Sequence, residues 1–354
     1  MHHALSQRAP VAVHCATVRY SSMKAYHSIR NHLAPRSQDQ DARQPSRPRR
    51  SSVPSIPETW RRVPQRWNKY DNERMEWKAL HNIRIEITED KAQPKLVLVT
   101  WNVDGFGERK EARMAGILEH IMSLTPVPDI VFLQEVSSAA RDFLLTHPVI
   151  CESWFSSEMD GTNWIDLPFA TITLLSKSRF ALATATTTTG IGNIWREKFP
   201  SRYGRDALCC DVFVPSSSTC IRLINVHLDS LAHIPSRRVR QISISATLLK
   251  EVGHGLIAGD FNPVLRDDKN LVPLNNLTDA WLKLHRGEPG YTWGINRNEA
   301  FPPNRLDKVA LFGLVAHSIE IMNPGILEKG EAGEDALPWS DHSGLNCTFG
   351  LDVK

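Results

Sequence analysis

Short apolar runs rich in β-branched residues begin at Lys95 and alternate with segments whose apolar residues recur at helical spacing. Apolar runs of about four to eight residues bounded by turn residues predict buried strands. Two helices are predicted, one between Met114 and Leu124 and one at about 236–252, where Gly253 ends the pattern. The predicted strands are Leu96–Trp101, Asp129–Leu133, Ala170–Leu175, Ala207–Val214, Cys220–His227, Gly255–Ala258 and Leu306–Phe312.

Strands mixed with only a few helices predict an α/β fold, namely a four-layered α/β sandwich in which two packed mixed β-sheets are flanked by helices. The 354 residues allow one large domain with extensions, or two domains. We expect the main domain to span 95–354. A preceding linker, 57–94, is expected to wrap onto it, because large apolar residues recur among its charges: Trp60, Trp67, Tyr70, Met75 and Trp77.

Residues 1–56 are rich in Arg, Ser, Pro, Gln and His and lack the apolar periodicity that builds a core, so they predict a disordered basic tail. Residues 1–75 hold 14 Lys or Arg and 5 Asp or Glu, a net charge of +9 within a chain whose total is +3. The other 279 residues therefore carry −6. A nucleic-acid groove in the main domain must be a local basic patch.

The composition of the tail favours two alternative cellular locations. Its first 38 residues contain five Lys or Arg and no Asp or Glu, which is typical of a mitochondrial presequence. The R-P-R-R run at 47–50 instead favours nuclear import. A solvated tail without a targeting signal is the third alternative. The six cysteines lack zinc spacing and indicate reduced thiols, and no apolar stretch is long enough for a membrane span. We expect a nuclear or mitochondrial protein that is not secreted and binds no membrane.

Polar residues suited to chemistry follow several predicted strands directly, where strand ends would deliver them to one edge of a sheet. Each motif alone has a simpler interpretation, such as a turn or a helix cap. Six of them in chain order favour an active site instead. The motifs are T-W-N-V-D-G at 100–105, L-Q-E-V at 133–136, N-V-H-L-D-S at 225–230, G-D-F-N at 259–262, R-L-D at 305–307 and S-D-H-S at 340–343.

At these positions the chain resembles the endonuclease/exonuclease/phosphatase superfamily, whose members hydrolyse phosphoesters with a divalent metal. The resemblance covers about residues 95–352. T-W-N, L-Q-E, G-D-x-N and S-D-H are most similar to the 5′-tyrosyl-DNA phosphodiesterases, which remove a topoisomerase tyrosine left on a DNA 5′ end. H-L-D-S at 227–230, Y-T-W at 291–293 and P-W-S-D-H-S-G at 338–344 support this match. It implies a DNA-repair hydrolase with its catalytic domain at 95–354.

The expected metal follows from the substrate. Attack by water on an anionic phosphodiester builds charge on its oxygens, so the site needs a hard cation and fixed hydrogen-bond donors. Mg²⁺ prefers oxygen ligands and commonly binds through one or two carboxylates. Glu135 and Asp104 are the candidate ligands, and Asp341 is expected to support the metal cluster or its waters. Mn²⁺ could substitute for Mg²⁺.

Asp260 is the candidate to orient and deprotonate the attacking water, with Asn262 two residues further on the same strand face. A histidine that donates to phosphate has to be protonated or hold the right tautomer, and a carboxylate behind it secures this. The resemblance makes Asp307 that partner of one histidine. The expected donors to phosphate oxygens are Asn102, His227 and His342.

The resemblance to the family assigns substrate contacts to the matching positions of this chain. They place Phe169, Trp293 and Leu306 in an apolar wall beside the 5′ nucleotide, where an aromatic ring can stack on a base. Asp229 is expected to fix His227 or its loop, with a plain turn as the alternative. Phe169 lacks the expected tyrosine hydroxyl, Leu306 replaces an aromatic residue and Asp229 replaces a glutamate. These departures concern substrate specificity more than catalysis.

The expected partner is a DNA 5′ end, single-stranded or frayed, that carries a covalent tyrosyl or peptide adduct and is bound by a monomer. Recognition of its backbone needs Lys or Arg near the sheet edge. A solvated basic face is the alternative, and Arg205 could instead pair with Asp206. The candidates are Arg196, Lys198, Arg202, Arg205, Arg237, Arg238 and Arg240.

Other activities remain open within the same superfamily. W-N-V-D-G at 101–105 and R-L-D at 305–307 also suit an apurinic/apyrimidinic endonuclease or a 3′ exonuclease. N-V-H-L-D at 225–229 occurs in similar form in sphingomyelinases and inositol phosphatases. R-L-D-K at 305–308 stands where the inositol enzymes carry W-C-D-R. A non-catalytic scaffold is disfavoured, because every expected ligand and base is present.

Overall fold

The computed structural model describes residues 62–81, 95–164, 166–180, 190–214, 219–295, 301–329 and 336–351, and the predicted tail at 1–56 lies outside them. Within this part of the chain two mixed β-sheets pack face to face and helices cover their outer faces, so the predicted four-layered α/β sandwich is confirmed. The helices are α1 Lys110–Ser123, α2 Ser138–Thr146, α3 Pro148–Ser153, α4 Arg238–Val252 and α5 Ala280–Leu284, with 3₁₀ turns at Thr162–Trp164, Arg266–Asn270 and Pro273–Asn275. The strands are β1 Arg62–Gln65, β2 Asn68–Asp71, β3 Glu76–Ala79, β4 Leu96–Asn102, β5 Ile130–Ser137, β6 Trp154–Ser156, β7 Phe169–Ser176, β8 Gly190–Lys198, β9 Asp206–Val214, β10 Thr219–His227, β11 Gly255–Asp260, β12 Thr278–Asp279, β13 Asp307–Phe312, β14 Leu314–Met322, β15 Ile326–Leu327, β16 Leu337–Pro338 and β17 Gly344–Leu351.

Each sheet contains one parallel strand pair among antiparallel neighbours. Sheet I has the order β1-β8-β9-β10-β11-β13-β12, and sheet II has the order β14-β17-β4-β5-β7-β6-β2-β3. The parallel pairs are β10–β11 in sheet I and β4–β5 in sheet II. Because parallel neighbours run in the same direction, their C-terminal ends emerge at the same edge. This places His227 beside Asp260 in sheet I, and Asn102 beside Gln134 in sheet II.

Alternation of side chains along the strands divides the core into three apolar layers. Between the sheets, Leu98 and Phe132 of sheet II share one buried cluster with Leu223 and Leu256 of sheet I. The outer face of sheet II packs on α1, α2 and α3, and the outer face of sheet I packs on α4. Burying a Leu or Phe side chain contributes about 1.5–3 kcal/mol. The layers therefore hold the two strand rims in fixed positions.

One polar link crosses the apolar layer between the sheets. Gln134 Nε2 of sheet II donates to Asn225 Oδ1 of sheet I at 2.8 Å, and it also lies 3.0 Å from Thr100 Oγ1. Asn225 Nδ2 in turn donates to the Ile172 carbonyl oxygen at 2.9 Å. Buried polar groups are costly unless they are paired, so this link favours one relative position of the two sheets.

The predicted wrapping segment contributes edge strands to both sheets. β1 pairs with β8 at the edge of sheet I, and the β2–β3 hairpin lies at the edge of sheet II. Between β1 and β2, Trp67 is fully buried and its Nε1 donates to the Gly192 carbonyl oxygen at 3.2 Å. The predicted boundary at 57–94 stays a prediction, because residues 82–94 lie outside the described ranges.

All seven predicted strands and both predicted helices are present, with shifts of a few residues at their ends. Gly253 ends α4 as predicted, with φ of 83°. The prediction missed the long strands β8, β14 and β17, and in β8 and β17 glycines and polar residues hide the apolar alternation. It also missed the short strands β1, β2, β3, β6, β12, β15 and β16 and the short helices α2, α3 and α5. None of the helices in the described ranges has the length and apolarity needed to cross a membrane.

Replacing Asn225 by Leu should destabilise the protein, because Gln134 and the Ile172 carbonyl each lose a buried partner. We expect the free energy of unfolding in urea to fall by about 2 kcal/mol or more. The same replacement at the exposed Asn270 should change it by less than about 0.5 kcal/mol. Equal unfolding free energies for wild type and Asn225→Leu would contradict a stabilising role for the link.

Candidate active site

Four strands end at one rim of the sandwich and place polar side chains there. β10 and β11 are in register with His227 beside Asp260, and β13 runs back along β11 with Asp307 beside Asp260. β4 of the other sheet ends at Asn102, whose Nδ2 lies 3.0 Å from Asp260 Oδ2. The predicted meeting of strand ends is therefore present, and it joins residues from both sheets.

Glu135 reaches this rim because the strand that carries it is irregular. Gln134 faces sheet I, so strict alternation would turn Glu135 to the outer face. The pairing of β5 with β7 shifts on either side of Glu135, which has a left-handed backbone with φ of 55°. Its carboxylate then accepts hydrogen bonds from Gly105 N at 3.1 Å and Asn102 Nδ2 at 3.2 Å. The bulge thus redirects the side chain into the site.

Asp260 is almost fully buried and is held by amide groups on both oxygens. Oδ1 accepts from Asn262 N at 2.8 Å, and Oδ2 accepts from the side-chain amides of Asn102 and Asn262 at 3.0 Å each. Burial raises the pKa of Asp260 to about 6, and the charge of Asp307 acts in the same direction, while His342 and the amide hydrogen bonds oppose it. Asp260 is therefore ionised at neutral pH and close enough to titration to accept a proton.

Three donor atoms lie close enough together to share one cation. His227 Nε2 lies 3.5 Å from Glu135 Oε1 and 3.6 Å from Asp260 Oδ2, and one ligand atom of each of these residues lies within 4.8 Å of the others. Burial raises the pKa of Glu135 to about 7, and the charges of Asp341 and Asp104 act in the same direction. A divalent cation beside Glu135 would relieve its repulsion by Asp341 and Asp104. The carboxylate oxygens of Glu135 and Asp260 suit Mg²⁺ or Mn²⁺, whereas the imidazole of His227 is a poorer ligand for such hard cations.

Asp104 is held by protein groups on both oxygens. Oδ2 lies 2.7 Å from Nη2 of Arg113, and Oδ1 accepts from Gly107 N at 3.0 Å. Arg113 is buried and also donates to the carbonyl oxygens of Pro338 and Trp339 at 3.1 and 2.8 Å, directly ahead of the S-D-H motif. Direct metal binding by Asp104 stays a prediction, in which the ion competes with Arg113 for Oδ2.

The two histidines of the site have opposite protonation. His342 Nδ1 lies 2.8 Å from Asp307 Oδ2, so the predicted pair is present. Although burial alone would lower it, the pKa of His342 is raised well above its usual range by the carboxylates of Asp307 and Asp341. Burial, Arg205 and the His342 charge hold the pKa of His227 well below its usual range. His342 therefore donates as an imidazolium, and His227 as a neutral ring.

The predicted apolar wall divides between two flanks of this centre. On one flank, Trp293 is half-buried and its Nε1 donates to Asp341 Oδ2 at 3.1 Å, while Leu306 is buried. On the other flank, the Phe169 ring stacks on the His227 ring with centroids 5.8 Å apart. The role of the three predicted residues as one wall beside a 5′ nucleotide stays a prediction.

Arg205 and Asp229 belong to the flank that carries Phe169. The Arg205 guanidinium lies 4.9 Å from the Phe169 ring centroid. Asp229 accepts hydrogen bonds from the Ser201 hydroxyl and from Arg202 N, so it anchors the loop that leads to Arg205. Asp229 lies two residues after His227, so these contacts hold the loop of His227 against the 201–205 loop, while no hydrogen bond joins the Asp229 side chain to His227 within the described residues.

Two of the predicted DNA-binding arginines are interior residues. Arg196 is 2% exposed and pairs with Glu158 at 2.7 Å and Asp206 at 2.9 Å. Arg238 is 1% exposed and pairs with Asp268 at 2.8 Å. The prediction that these two contact DNA phosphates is wrong, because a buried guanidinium depends on its carboxylate partners. The candidates with exposed or partly exposed side chains are Lys198, Arg202, Arg205, Arg237 and Arg240.

Sequence reasoning missed two residues of this rim. Arg113 joins the T-W-N-V-D-G and S-D-H motifs, but its position on α1 resembles that of any helical arginine. Phe106 is 57% exposed and meets Phe169 edge to face at 5.0 Å. A single phenylalanine in a glycine-rich turn has no periodic partner, so the sequence offers no signal for its contact.

Comparisons with known proteins agree with this geometry. A family model described as the Endonuclease/Exonuclease/phosphatase family matches residues 99–342. The chain is similar to the structure of a humanised D. rerio TDP2 with 14 mutations, at 26% identity and a TM-score of 0.56, over 73% of this chain and 99% of that one. It is also similar to D. rerio TDP2 complexed with single-strand DNA product, at 26% identity and a TM-score of 0.55, over the same shares of the two chains.

TDP2 from C. elegans shares the fold, at 21% identity and a TM-score of 0.55, over 73% of this chain and 75% of that one. A comparison with curated protein sequences gave no match. The predicted resemblance to this superfamily, and within it to the 5′-tyrosyl-DNA phosphodiesterases, is confirmed by these findings.

Asp307→Asn should lower the pKa of His342, because it removes the carboxylate that stabilises the imidazolium. A raised histidine pKa preserves the charged form as pH rises, so the variant should lose that form at a lower pH than wild type. We expect kcat/KM for Mg²⁺-supported hydrolysis of a chromogenic phosphodiester to fall roughly 100-fold at alkaline pH and less under mildly acidic conditions. Thermal unfolding checks that the variant folds. A loss of equal size at every pH would contradict this role of Asp307.

Proposed function

Because the chain belongs to the endonuclease/exonuclease/phosphatase family, we propose that it hydrolyses the 5′-phosphotyrosyl bond between a topoisomerase tyrosine and a DNA 5′ end, leaving a 5′-phosphate. The chain has the α/β fold of this family of phosphoester hydrolases. The observation that carries the proposal is the rim cluster of Glu135, His227 and Asp260 beside the Asp307–His342 pair. The similarity to TDP2 structures supports the narrower substrate, and DNA repair is the corresponding process.

Glu135 is the residue proposed to hold Mg²⁺ or Mn²⁺, because burial and the carboxylates of Asp341 and Asp104 destabilise its charged form, against the opposing charges of Arg205 and His342, and a bound cation would stabilise it. When bound, such an ion stabilises the charge that develops on phosphate and leaving-group oxygens. Asp104 and Asp341 add negative charge around the ion and can order its waters. Asn102 keeps the Glu135 carboxylate oriented through its side-chain amide.

Asp260 is proposed to take the proton from the attacking water. Its carboxylate is fixed by the amides of Asn102 and Asn262, so it does not have to reorient when the water arrives. The pKa of about 6 leaves the carboxylate ionised at neutral pH while keeping it basic enough to accept a proton.

The donors around the phosphate are proposed to be His227 and His342. The third predicted donor, Asn102, directs its two amide hydrogens to Glu135 and Asp260 and would have to release one of them to reach a phosphate oxygen. His342 offers a charged N–H from Nε2, since its Nδ1 side faces Asp307. Charged donors bind anionic oxygens more strongly than neutral ones, so His342 is suited to the oxygen on which charge increases most. His227 contributes a neutral donor on the opposite flank, beneath Phe169.

The leaving group needs no dedicated acid in this scheme. A tyrosine phenol has a pKa of about 10, against about 15.7 for water, so a phenolate departs far more readily than hydroxide. The water proton goes to Asp260, the P–O bond to the phenol breaks, and the phenolate takes a proton from solvent. This matches a site with one evident base and no evident partner acid.

The proposed partner is a DNA 5′ end, single-stranded or frayed, with its tyrosyl adduct. Trp293 and the buried Leu306 line the flank where the 5′ nucleotide would lie, and aromatic stacking on a base is worth about 1–3 kcal/mol. The D. rerio TDP2 structure with single-strand DNA product supports a single-stranded substrate. The basic tail leads us to propose a nuclear or mitochondrial site of action.

Product analysis on two end-labelled DNAs with Mg²⁺ tests this function, one DNA with a 5′-phosphotyrosine and one with an internal abasic site. We expect only the first to be converted, to a 5′-phosphate end. Asp260→Asn should reduce that conversion by roughly 1,000-fold or more, because it removes the base but keeps the size of the side chain.

Asp267→Asn is the matched control, since this carboxylate is exposed on the 266–270 turn, and it should keep full activity. Cleavage of only the abasic DNA would assign the same site to an apurinic/apyrimidinic endonuclease. Inertness of wild type on both DNAs would reject both assignments. Full activity of Asp260→Asn would reject Asp260 as the base.

A further inference from the structure

Phe106 is a solvent-exposed aromatic residue at the edge of the catalytic rim. Its side chain is 57% exposed, whereas Phe169 beside it is 5% exposed. The two rings meet edge to face, with centroids 5.0 Å apart and planes at 89°. Exposed aromatic surface beside a reaction centre is available to a substrate in a way that the buried Phe169 is not.

The turn that carries Phe106 is fixed rather than loose. Asp104 has a left-handed backbone with φ of 53°, and its Oδ1 accepts hydrogen bonds from the backbone N of Phe106 at 3.3 Å and Gly107 at 3.0 Å. The other oxygen of Asp104 is held by the buried Arg113. The hydrogen bonds of the turn therefore fix the position of the Phe106 ring, although the ring itself is exposed.

The same turn touches the catalytic carboxylate. Gly105 N donates to Glu135 Oε2 at 3.1 Å. A Cβ atom at Gly105 would lie 2.5 Å from the Glu135 carbonyl oxygen and 3.0 Å from the Phe169 ring, so only glycine allows this approach. Phe106 is thus one residue away from a backbone amide that binds the proposed metal ligand.

The direction of reaction places the leaving group near this turn. The groups run in the order Asp260, Asn102, Glu135 and Gly105, each bonded to the next. Water activated by Asp260 attacks from the first end of this series. In an in-line displacement the leaving group departs from the opposite face of phosphorus. Gly105 and Phe106 lie at the end of this series remote from Asp260, so a phosphate attacked from the Asp260 end would present its leaving group to this turn. Trp293 instead contacts Asp341.

We propose that Phe106 binds the aromatic ring of the leaving group, and that with Phe169 it forms an aromatic corner selective for aryl phosphodiesters such as the phosphotyrosyl bond. This inference rests on the proposed function, and it adds a residue and a substrate class to it. The corner would receive the phenol ring edge to face or stacked, geometries that aromatic pairs prefer. An aliphatic leaving group would gain less binding free energy from contact with these two rings.

The test uses the full chain with Mg²⁺ and thymidine 5′-(p-nitrophenyl phosphate), whose aryl leaving group is read by absorbance. Phe106→Ala should lower kcat/KM by roughly 10-fold, a loss of the size expected for one aromatic stacking contact. The inhibition constant of thymidine 5′-phosphate should stay within about 2-fold of wild type, because this product has no leaving group. Phe106→Trp should restore most of the lost kcat/KM.

Leu274→Ala is the matched control, since Leu274 is 71% exposed on the 273–275 turn and belongs to no part of the site. Its kcat/KM should equal that of wild type, and thermal unfolding should be alike for all variants. Unchanged kcat/KM in Phe106→Ala would overturn the inference. An equal weakening of thymidine 5′-phosphate inhibition would also overturn it, by assigning the ring to the nucleoside. Wild type that cleaves neither this ester nor the 5′-phosphotyrosyl DNA would reject the proposed function, and this inference with it.

Discussion

One side-chain amide, Asn102 Nδ2, lies between two carboxylates that belong to different sheets. It donates to Glu135 of sheet II and to Asp260 of sheet I, at 3.2 and 3.0 Å. A hydrogen bond from an amide stabilises the ionised form of a carboxylate, and for Asp260 the bond from Asn102 opposes the rise in pKa that burial causes. Asn102 is itself fixed, because its Oδ1 accepts from Asp104 N at 3.0 Å. The relative position of the sheets therefore sets the distance between the proposed base and the proposed metal ligand.

The charges around that amide divide the chemical roles. Burial raises the pKa of both Glu135 and Asp260, which prepares one for a cation and the other for a proton. Asp307 holds His342 in its charged form, while burial and nearby positive charge keep His227 neutral. A phosphate entering this rim would meet the proposed cation site, the proposed base and a charged donor already in place. Such preorganisation is the main source of rate acceleration in phosphoryl transfer.

The backbone around the site is less relaxed than the rest of the sheets. Asp104, Glu135 and Asn262 all have left-handed backbones, with φ of 53°, 55° and 46°. Such conformations cost non-glycine residues about 1 kcal/mol or more, and they persist where the surrounding structure determines them. Here the surrounding structure is the paired strands and the buried Arg113, which holds the Asp104 turn. The apolar layers thus stabilise a strained rim that aims three functional side chains.

The sequence alone determined seven of the strands, the α/β class and the set of polar motifs at strand ends, because apolar runs and the polar residues that end them are local properties of the chain. It could not determine that Arg196 and Arg238 are buried in ion pairs, since the charge of a residue does not reveal its partners. The sequence also could not predict the bulge that turns Glu135 inward or the contact that places Phe106 beside Phe169. These features depend on residues far apart in the chain, so only the packing of the two sheets decided them.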